Sequence, residues 1–222
     1  MQREIQPTAD GSHTIAVPGL GVTYHSKHGA IAESLHVFIE AGLNHIIHTL
    51  SPAPLNILEI GFGTGLNALL TWQVANNTAT RVQYTGIELF PLLPPEISTI
   101  NHGRLLLMED AFQQLHQCPW EQDIILNDFF TLHKINISLL NFTSSRLFHC
   151  IYFDAFAPDT QPELWTRAVF EKLYAVLYPG GCLLTYSSKS IIRHAMSDAG
   201  FTVTKIPGPF GKREMVRAVK EL

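Results

Sequence analysis

The chain has 222 residues, 46% of them apolar, and a formal charge of −4 at neutral pH. That length and apolar fraction suit one substantial core. The small negative charge excludes a bulk attraction to nucleic acid, so any such partner has to be met by a local patch. Cys118, Cys150 and Cys182 are isolated, with no C-x-x-C pair, which argues against a disulfide framework or a zinc site and fits reduced thiols in a cytoplasmic protein. The histidine pairs His25/His28 and His45/His48 lack a matching cluster elsewhere, so no metal is expected. No stretch approaches the ~20 apolar residues that span a bilayer, and the start MQREIQPTAD lacks the layout of a signal peptide, so no membrane association is expected.

In chain order, residues 13–24 alternate around Pro18-Gly19 and predict a hairpin. Residues 29–50 carry apolar side chains at helical spacing and predict one helix, or two with a break near Gly42. Together, residues 1–54 are expected to cap a site formed by residues 55–222. Leu55–Ile60 is an apolar run of strand length that breaks on Gly61, Gly63 and Gly65 into a helix from about Asn67. A strand that turns on glycines into a helix presents backbone N–H groups at the carboxyl end of a parallel sheet, where nucleotides bind. The spelling is E-x-G-x-G-x-G rather than the G-x-G-x-x-G that accommodates a pyrophosphate. It favours a phosphate-free ligand, S-adenosylmethionine.

Residues 81–88 predict a strand ending in Glu88, placed to accept hydrogen bonds from the ligand's ribose hydroxyls. Residues 96–102 predict a short helix. Residues 104–108 read as a strand, and residues 108–117 as helix. Residues 123–128 predict a strand whose end carries Asp128, the candidate for the adenine amino group. Residues 149–154 are an apolar strand running into Asp154, held at a loop mouth by the Ala157-Pro158 turn. A helix over 162–178 stops at Pro179-Gly180-Gly181, and strands at 182–187, 201–206 and 214–219 follow, with a helix over 190–199. The sum is an α/β, Rossmann-like fold with a seven-stranded, mostly parallel sheet. Its last strand, brought back by Pro207–Gly211, is antiparallel, which separates methyltransferase sheets from dehydrogenase sheets.

Across nearly its whole length the chain resembles the methyltransferase domain of the MnmC family of bifunctional tRNA-modifying proteins. The resemblance is carried by Tyr24-x-Ser26 with Gly29, Glu33 and Val37-Phe38, by Gly61 to Asn67, and by Glu88-x-Phe90-Pro91. It continues through Asp154-x-Phe-Ala-Pro158 with Trp165-Thr166, Pro179-Gly-Gly181, Ala199-Gly-Phe201 and Gly211-Lys-Arg-Glu-Met215. It implies methylation of 5-aminomethyl-(2-thio)uridine at the wobble position of tRNA, with S-adenosylhomocysteine as by-product and with Asn67 at the cofactor. Family members often continue into a flavin-dependent oxidoreductase domain, whereas this chain stops at Leu222, so a stand-alone enzyme fed by other tRNA-modifying enzymes is expected. The chain also has Asn127-Asp128 where the family often has Gly-Asp.

The chemistry can be derived apart from the family. Methyl transfer from a sulfonium to an amine is an in-line displacement that gains most from holding nucleophile, methyl and sulfur collinear. An alkylamine is protonated at neutral pH, and a carboxylate at the methyl end of the cofactor can orient it and help it shed a proton. Asp154 is assigned that role, with binding of the cofactor amine as a second possibility. Glu59 is assigned to the methionine amino group, directly or by ordering the loop. Lys212 and Arg213, with Lys205, Arg217, Lys220, Lys189 and Arg193 nearby, are candidates for anticodon-stem phosphates, and a solvated strand face explains them equally well. Phe156 and Trp165 are candidates for stacking on the unpaired base, against a plain core role. The rival functions are a small-molecule N-methyltransferase, an aminopropyltransferase and a non-catalytic nucleotide-binding module.

Overall fold

The computed structural model describes residues 2–222. The chain begins with an antiparallel sheet of β1 (Glu4–Pro7), β2 (His13–Val17) and β3 (Val22–Thr23). The hairpin expected over 13–24 is β2 and β3, turned by a 3-10 segment at Pro18–Leu20 and by Gly21 at φ 66°. β1 is an addition to that expectation. In the turn after it, the Asp10 carboxylate accepts hydrogen bonds from Thr8 Oγ1 (2.8 Å) and from the N–H groups of Ser12 and Ala32 (3.0 Å each). Asp10 thereby supplies an acceptor to the first turn of the next helix, where N–H groups lack intrahelical partners.

That helix is one continuous rod of α1 (Ala30–Ser34), a π-helical stretch (Leu35–Asn44) and α2 (His45–Thr49). Gly42 does not break it. A Cβ there would stand 3.0 Å from Leu184 Cδ2, so the glycine lets the rod lie close on the sheet beneath it.

The second sheet has eight strands. They are β4 (Leu55–Ile60), β5 (Val82–Ile87), β6 (Asp123–Asn127), β7 (Phe130–Ile135), β8 (Phe148–Phe153), β9 (Leu177–Thr185), β10 (Thr202–Pro207) and β11 (Glu214–Val219), in the spatial order β10-β11-β9-β8-β4-β5-β7-β6. Between them run α3 (Leu66–Thr78), α4 (Pro94–Ile97), α5 (His102–Leu105), α6 (Glu109–Gln117), α7 (Arg167–Ala175) and α8 (Ser190–Asp198). The five central strands are parallel, and β11 is antiparallel to both neighbours, as expected. One apolar layer packs α3 and the long rod on one face, and another packs α7 and α8 on the other. Burial on both faces is why β4 and β8 read as predominantly apolar runs.

Three expectations need correction. The strand at 123–128 is the outer arm of a β6–β7 hairpin, which raises the count from seven strands to eight and makes β6 a second antiparallel strand. Residues 104–108 are not a strand; they hold the end of α5 and the turn into α6. The helix expected over 162–178 divides into a 3-10 turn (Pro162–Trp165) and α7, with Thr166 as N-cap, and Pro179-Gly180-Gly181 lies within an irregular stretch of β9 rather than marking a helix stop.

Lys134, on the inward face of β7, is buried. Its Nζ donates to the carbonyls of Leu115 (2.7 Å) and His116 (3.1 Å) in the last turn of α6, and it lies 4.9 Å from the Trp120 ring centroid. A cation there meets the helix's unpaired carbonyls and the negative end of its dipole. Lys134→Met should lower unfolding stability by about 1–3 kcal/mol, read from urea denaturation, because two carbonyls lose a charged donor.

Candidate active site

The site forms where β4, β5, β7 and β8 end side by side. The N–H groups of Gly61 and Phe62 donate to Ile87 O (3.0 and 3.1 Å), and the Asp154 N–H donates to Ile60 O (3.0 Å). Gly61 has φ 89°, and a Cβ on it would stand 2.9 Å from Asp154 O, so only glycine fits between the two strand ends. Gly63 N–H donates to Glu88 Oε2 (3.0 Å) and Phe90 N–H to Glu88 Oε1 (2.9 Å). Both carboxylate oxygens are thus fixed while each keeps a lone pair for a ligand. Gly65, at φ 70°, is the N-cap of α3.

The loop is supported from behind. Gly86 on β5 leaves space for the Phe62 ring, which a Cβ would meet at 2.6 Å. Burial pushes His116 down to about 4, so the ring is neutral, and its Nε2–H donates to Thr64 O at 3.1 Å.

The Asn67 side chain joins two carboxylates. Its Nδ2 donates to Glu59 Oε1 (2.8 Å) and to Asp154 Oδ2 (2.9 Å). Burial, and then the charge of Asp154, hold Glu59 well above the usual carboxyl range, against the Asn67 hydrogen bond. Asp154 is pushed up to about 7, by burial first and then by Glu33, with Asn67 and Lys212 opposing. Glu59 Oε2, Asn67 Oδ1 and Thr64 Oγ1 are buried without a hydrogen-bond partner.

Two cavities meet at Asp154. The first, about 970 Å³ of space open to solvent, is lined by the loops at 60–64, 87–90, 137–140 and 154–156, with Tyr24 and His25 from the N-terminal sheet. No lysine or arginine lines it, and burial holds His25 down to about 4. A cleft without cations, furnished with a fixed carboxylate and unpartnered polar atoms, suits a ligand with ribose hydroxyls and no phosphate. The second cavity, about 1370 Å³, is walled by the N-terminal sheet, Glu33, Tyr186 and Lys212. Both share Tyr24, His25, Asp154, Ala155 and Phe156, and the Tyr24 and Phe156 rings pack edge to face at 5.2 Å.

Of the expected site residues, Gly61, Gly63, Asn67, Glu88, Asp154 and Phe156 line the first cleft, and Glu59 and Gly65 lie directly behind it. Asp128 does not reach it. It sits in the β6–β7 turn beside the start of β5, where Phe129 O accepts from Val82 N–H, at the far end of the sheet and about 17 Å along the strands from the glycine loop. The cleft wall after β7 is instead Ile137–Leu140, a loop hidden from sequence reading because β7 was not recognised as a strand. Trp165 is a core residue rather than a stacking platform. It is buried against Phe153 and Phe170, and its Nε1–H donates to Phe156 O at 2.8 Å.

The basic residues do not form one patch. Lys205 pairs with Glu214, Lys189 pairs with Asp159, and Lys220 donates to the carbonyls of Tyr174 and Leu177 at the opposite end of β11. Lys212 is neutralised by Glu33, while Arg213 is exposed on the β10–β11 turn. Glu33, Thr64 and Tyr186 escaped notice as site residues, although Glu33 and Thr64 carried a signal as members of the Tyr24-to-Phe38 and Gly61-to-Asn67 motifs. Among the described residues, no helix is long and apolar enough to cross a membrane, and no group of three or more His, Cys, Asp or Glu is arranged to hold a metal ion.

Comparison with known proteins agrees with this geometry. A family model described as S-adenosyl-L-methionine-dependent methyltransferase matches residues 111–221. The tRNA 5-methylaminomethyl-2-thiouridine biosynthesis bifunctional protein MnmC of Leptospira interrogans is 34% identical over 209 residues, 87% of this chain and 32% of the relative. The protein of the same name from Pseudomonas paraeruginosa is 28% identical over 222 residues, 88% of this chain and 32% of the relative. The chain therefore spans about a third of the length of these curated relatives. The crystal structure of MNMC2 from Aquifex aeolicus superposes with a TM-score of 0.75 at 26% identity, covering 98% of this chain and 70% of that one. The chain belongs to the family of S-adenosyl-L-methionine-dependent methyltransferases, and S-adenosylmethionine is its cofactor.

Proposed function

We propose that the chain methylates the primary amine of a 5-aminomethyl-(2-thio)uridine at the wobble position of tRNA, giving the 5-methylaminomethyl nucleoside and S-adenosylhomocysteine. The observation that carries this reading is the position of Asp154, a carboxyl group shared by the cleft at the glycine loop and a second cavity. The names of the MnmC relatives and of the Aquifex structure support the tRNA acceptor. In this reading the enzyme works in the cytoplasm, where tRNA is modified, and other tRNA-modifying enzymes supply the aminomethyl group. Residues 1–54 act as a cap over the donor and acceptor sites.

Bound S-adenosylmethionine supplies a methyl group activated by its sulfonium. Glu88 would receive the ribose hydroxyls on its free lone pairs, and the loop at 137–140 would flank the adenine. Glu59 and Asn67, with their unpartnered oxygens, would receive the ammonium of the methionine end. Asp154 is the catalytic residue. Its Oδ2 is held by Asn67, which leaves Oδ1 for the incoming amine, and a value near ambient pH suits a group that must take a proton and give it up. A cation held beside it favours the carboxylate form, so its basic strength is matched to the loaded site. Phe156, at the junction of the two cavities, would contact the base.

Four outcomes test this. Nucleoside mass spectrometry of tRNA from cells lacking the protein should show accumulation of the unmethylated aminomethyl nucleoside; an unchanged nucleoside profile would overturn the assignment. Asp154→Asn should lower kcat roughly 10²–10⁴-fold, while Glu88→Gln should weaken S-adenosylmethionine binding roughly 10–100-fold by calorimetry through loss of charged hydrogen bonds to the ribose.

The fourth outcome concerns stability. Asp154 binds its proton more tightly in the folded chain than an ordinary aspartate does, so its contribution to stability falls as pH rises from about 4 to about 7. Asp154→Asn removes that penalty. The variant should be more stable than the parent at pH 8, by on the order of 1–3 kcal/mol, with the difference shrinking towards pH 4.

A further inference from the structure

The second cavity contains a charge pair that methyl transfer itself does not use. Lys212, on the turn between β10 and β11, places its Nζ 2.8 Å from Glu33 Oε1 and 4.0 Å from the Tyr186 ring centroid. Glu33 Oε2 accepts the Ser26 N–H at 2.7 Å. The Glu33 side chain is 11% exposed and that of Lys212 35%. A pair this far withdrawn from water is weak evidence of stabilisation, because desolvation offsets its attraction. Because Glu33 neutralises Lys212, the pair is also a poor site for a phosphate. What it offers is direction. Lys212 has N–H donors beyond the one given to Glu33, and Glu33 Oε1 keeps a second lone pair. The cavity wall therefore presents a donor beside an acceptor, with the rings of Tyr24, Phe156 and Tyr186 around them.

We propose that Lys212 and Glu33 read the polar edge of a uracil-type base, Lys212 donating to O4 and Glu33 accepting from N3–H. The inference rests on the function proposed above and assigns its base specificity. In a base carrying an aminomethyl group on C5, O4 is the ring substituent adjacent to that arm, and N3–H follows it. Setting the amine at Asp154 brings this edge to the neighbouring wall, and both Glu33 and Lys212 lie close enough to shift Asp154 electrostatically. A cytosine presents the reverse order, an amino donor and then a bare N3, which would set ammonium against amino group and carboxylate against lone pair. Sulfur at C2 does not alter the O4/N3–H edge, so thiolated and unthiolated bases are read alike.

The test uses the full chain, S-adenosylmethionine and synthetic anticodon stem-loops carrying either 5-aminomethyluridine or 5-aminomethylcytidine at the wobble position. The parent enzyme should favour the uridine roughly 10–100-fold in kcat/KM, and Lys212→Met should bring the ratio close to one. The exchange of Glu33→Lys together with Lys212→Glu keeps the pair but reverses its order, and should turn the preference towards cytidine. Equal use of both bases by the parent, or a Lys212→Met variant that is slower on both with the ratio preserved, would overturn the base-reading role while leaving the methyl-transfer reading standing. A parent enzyme that methylates neither stem-loop would remove that reading and this inference together.

Discussion

Everything at the site depends on two neighbouring parallel strands stopping at the same height. Ile60 and Phe153 are partners in the β4–β8 ladder, so the chain leaves the sheet at Gly61 and at Asp154 in the same place. The ladder continues one step further through the Asp154 N–H to Ile60 O, and the loops are so close that a methyl group on Gly61 would collide with the Asp154 carbonyl. In the proposed methyl transfer, donor and acceptor have to approach to contact distance, and the sheet sets the two loops side by side before any side chain acts.

On this scaffold the polar groups are arranged at a cost to stability. Glu59 and Asp154 are two acids drawn together by one amide, in a region that disfavours the charge of both. Such an arrangement is retained where chemistry needs it rather than where folding does. The surrounding architecture is held by conventional means: a neutral histidine behind the glycine loop, a lysine of β7 set against the last carbonyls of α6, and a glycine on β5 that makes room for Phe62.

The sequence was most legible where strands are buried on both faces, since β4 and β8 read as apolar runs ending in Gly61 and Asp154, and β5 as a β-branched and aromatic strand ending in Glu88. It was least legible at β7. Phe130, Leu132 and Lys134 point inward there, and a lysine in an inward position broke the alternation that signals a strand. With β7 missed, its partner β6 was taken for the cofactor strand, and Asp128 was assigned to an edge of the sheet that faces away from the cleft. Trp165 failed for another reason. Its closeness to Asp154 along the chain suggested contact with a substrate, but burial and its hydrogen bond to Phe156 are facts of packing that spacing does not encode. The meeting of Glu33 with Lys212 was equally invisible, because 179 residues separate them.

That separation has a temporal meaning. The walls of the first cleft come from residues between Tyr24 and Leu164, whereas the second cavity is closed by Lys212. During synthesis a nascent chain whose first 170 residues have cleared the ribosome has every side chain of the first cleft outside the exit tunnel, yet still lacks the Lys212 wall of the second cavity. The order of translation thus delivers the lining of the one ahead of the part that closes the other.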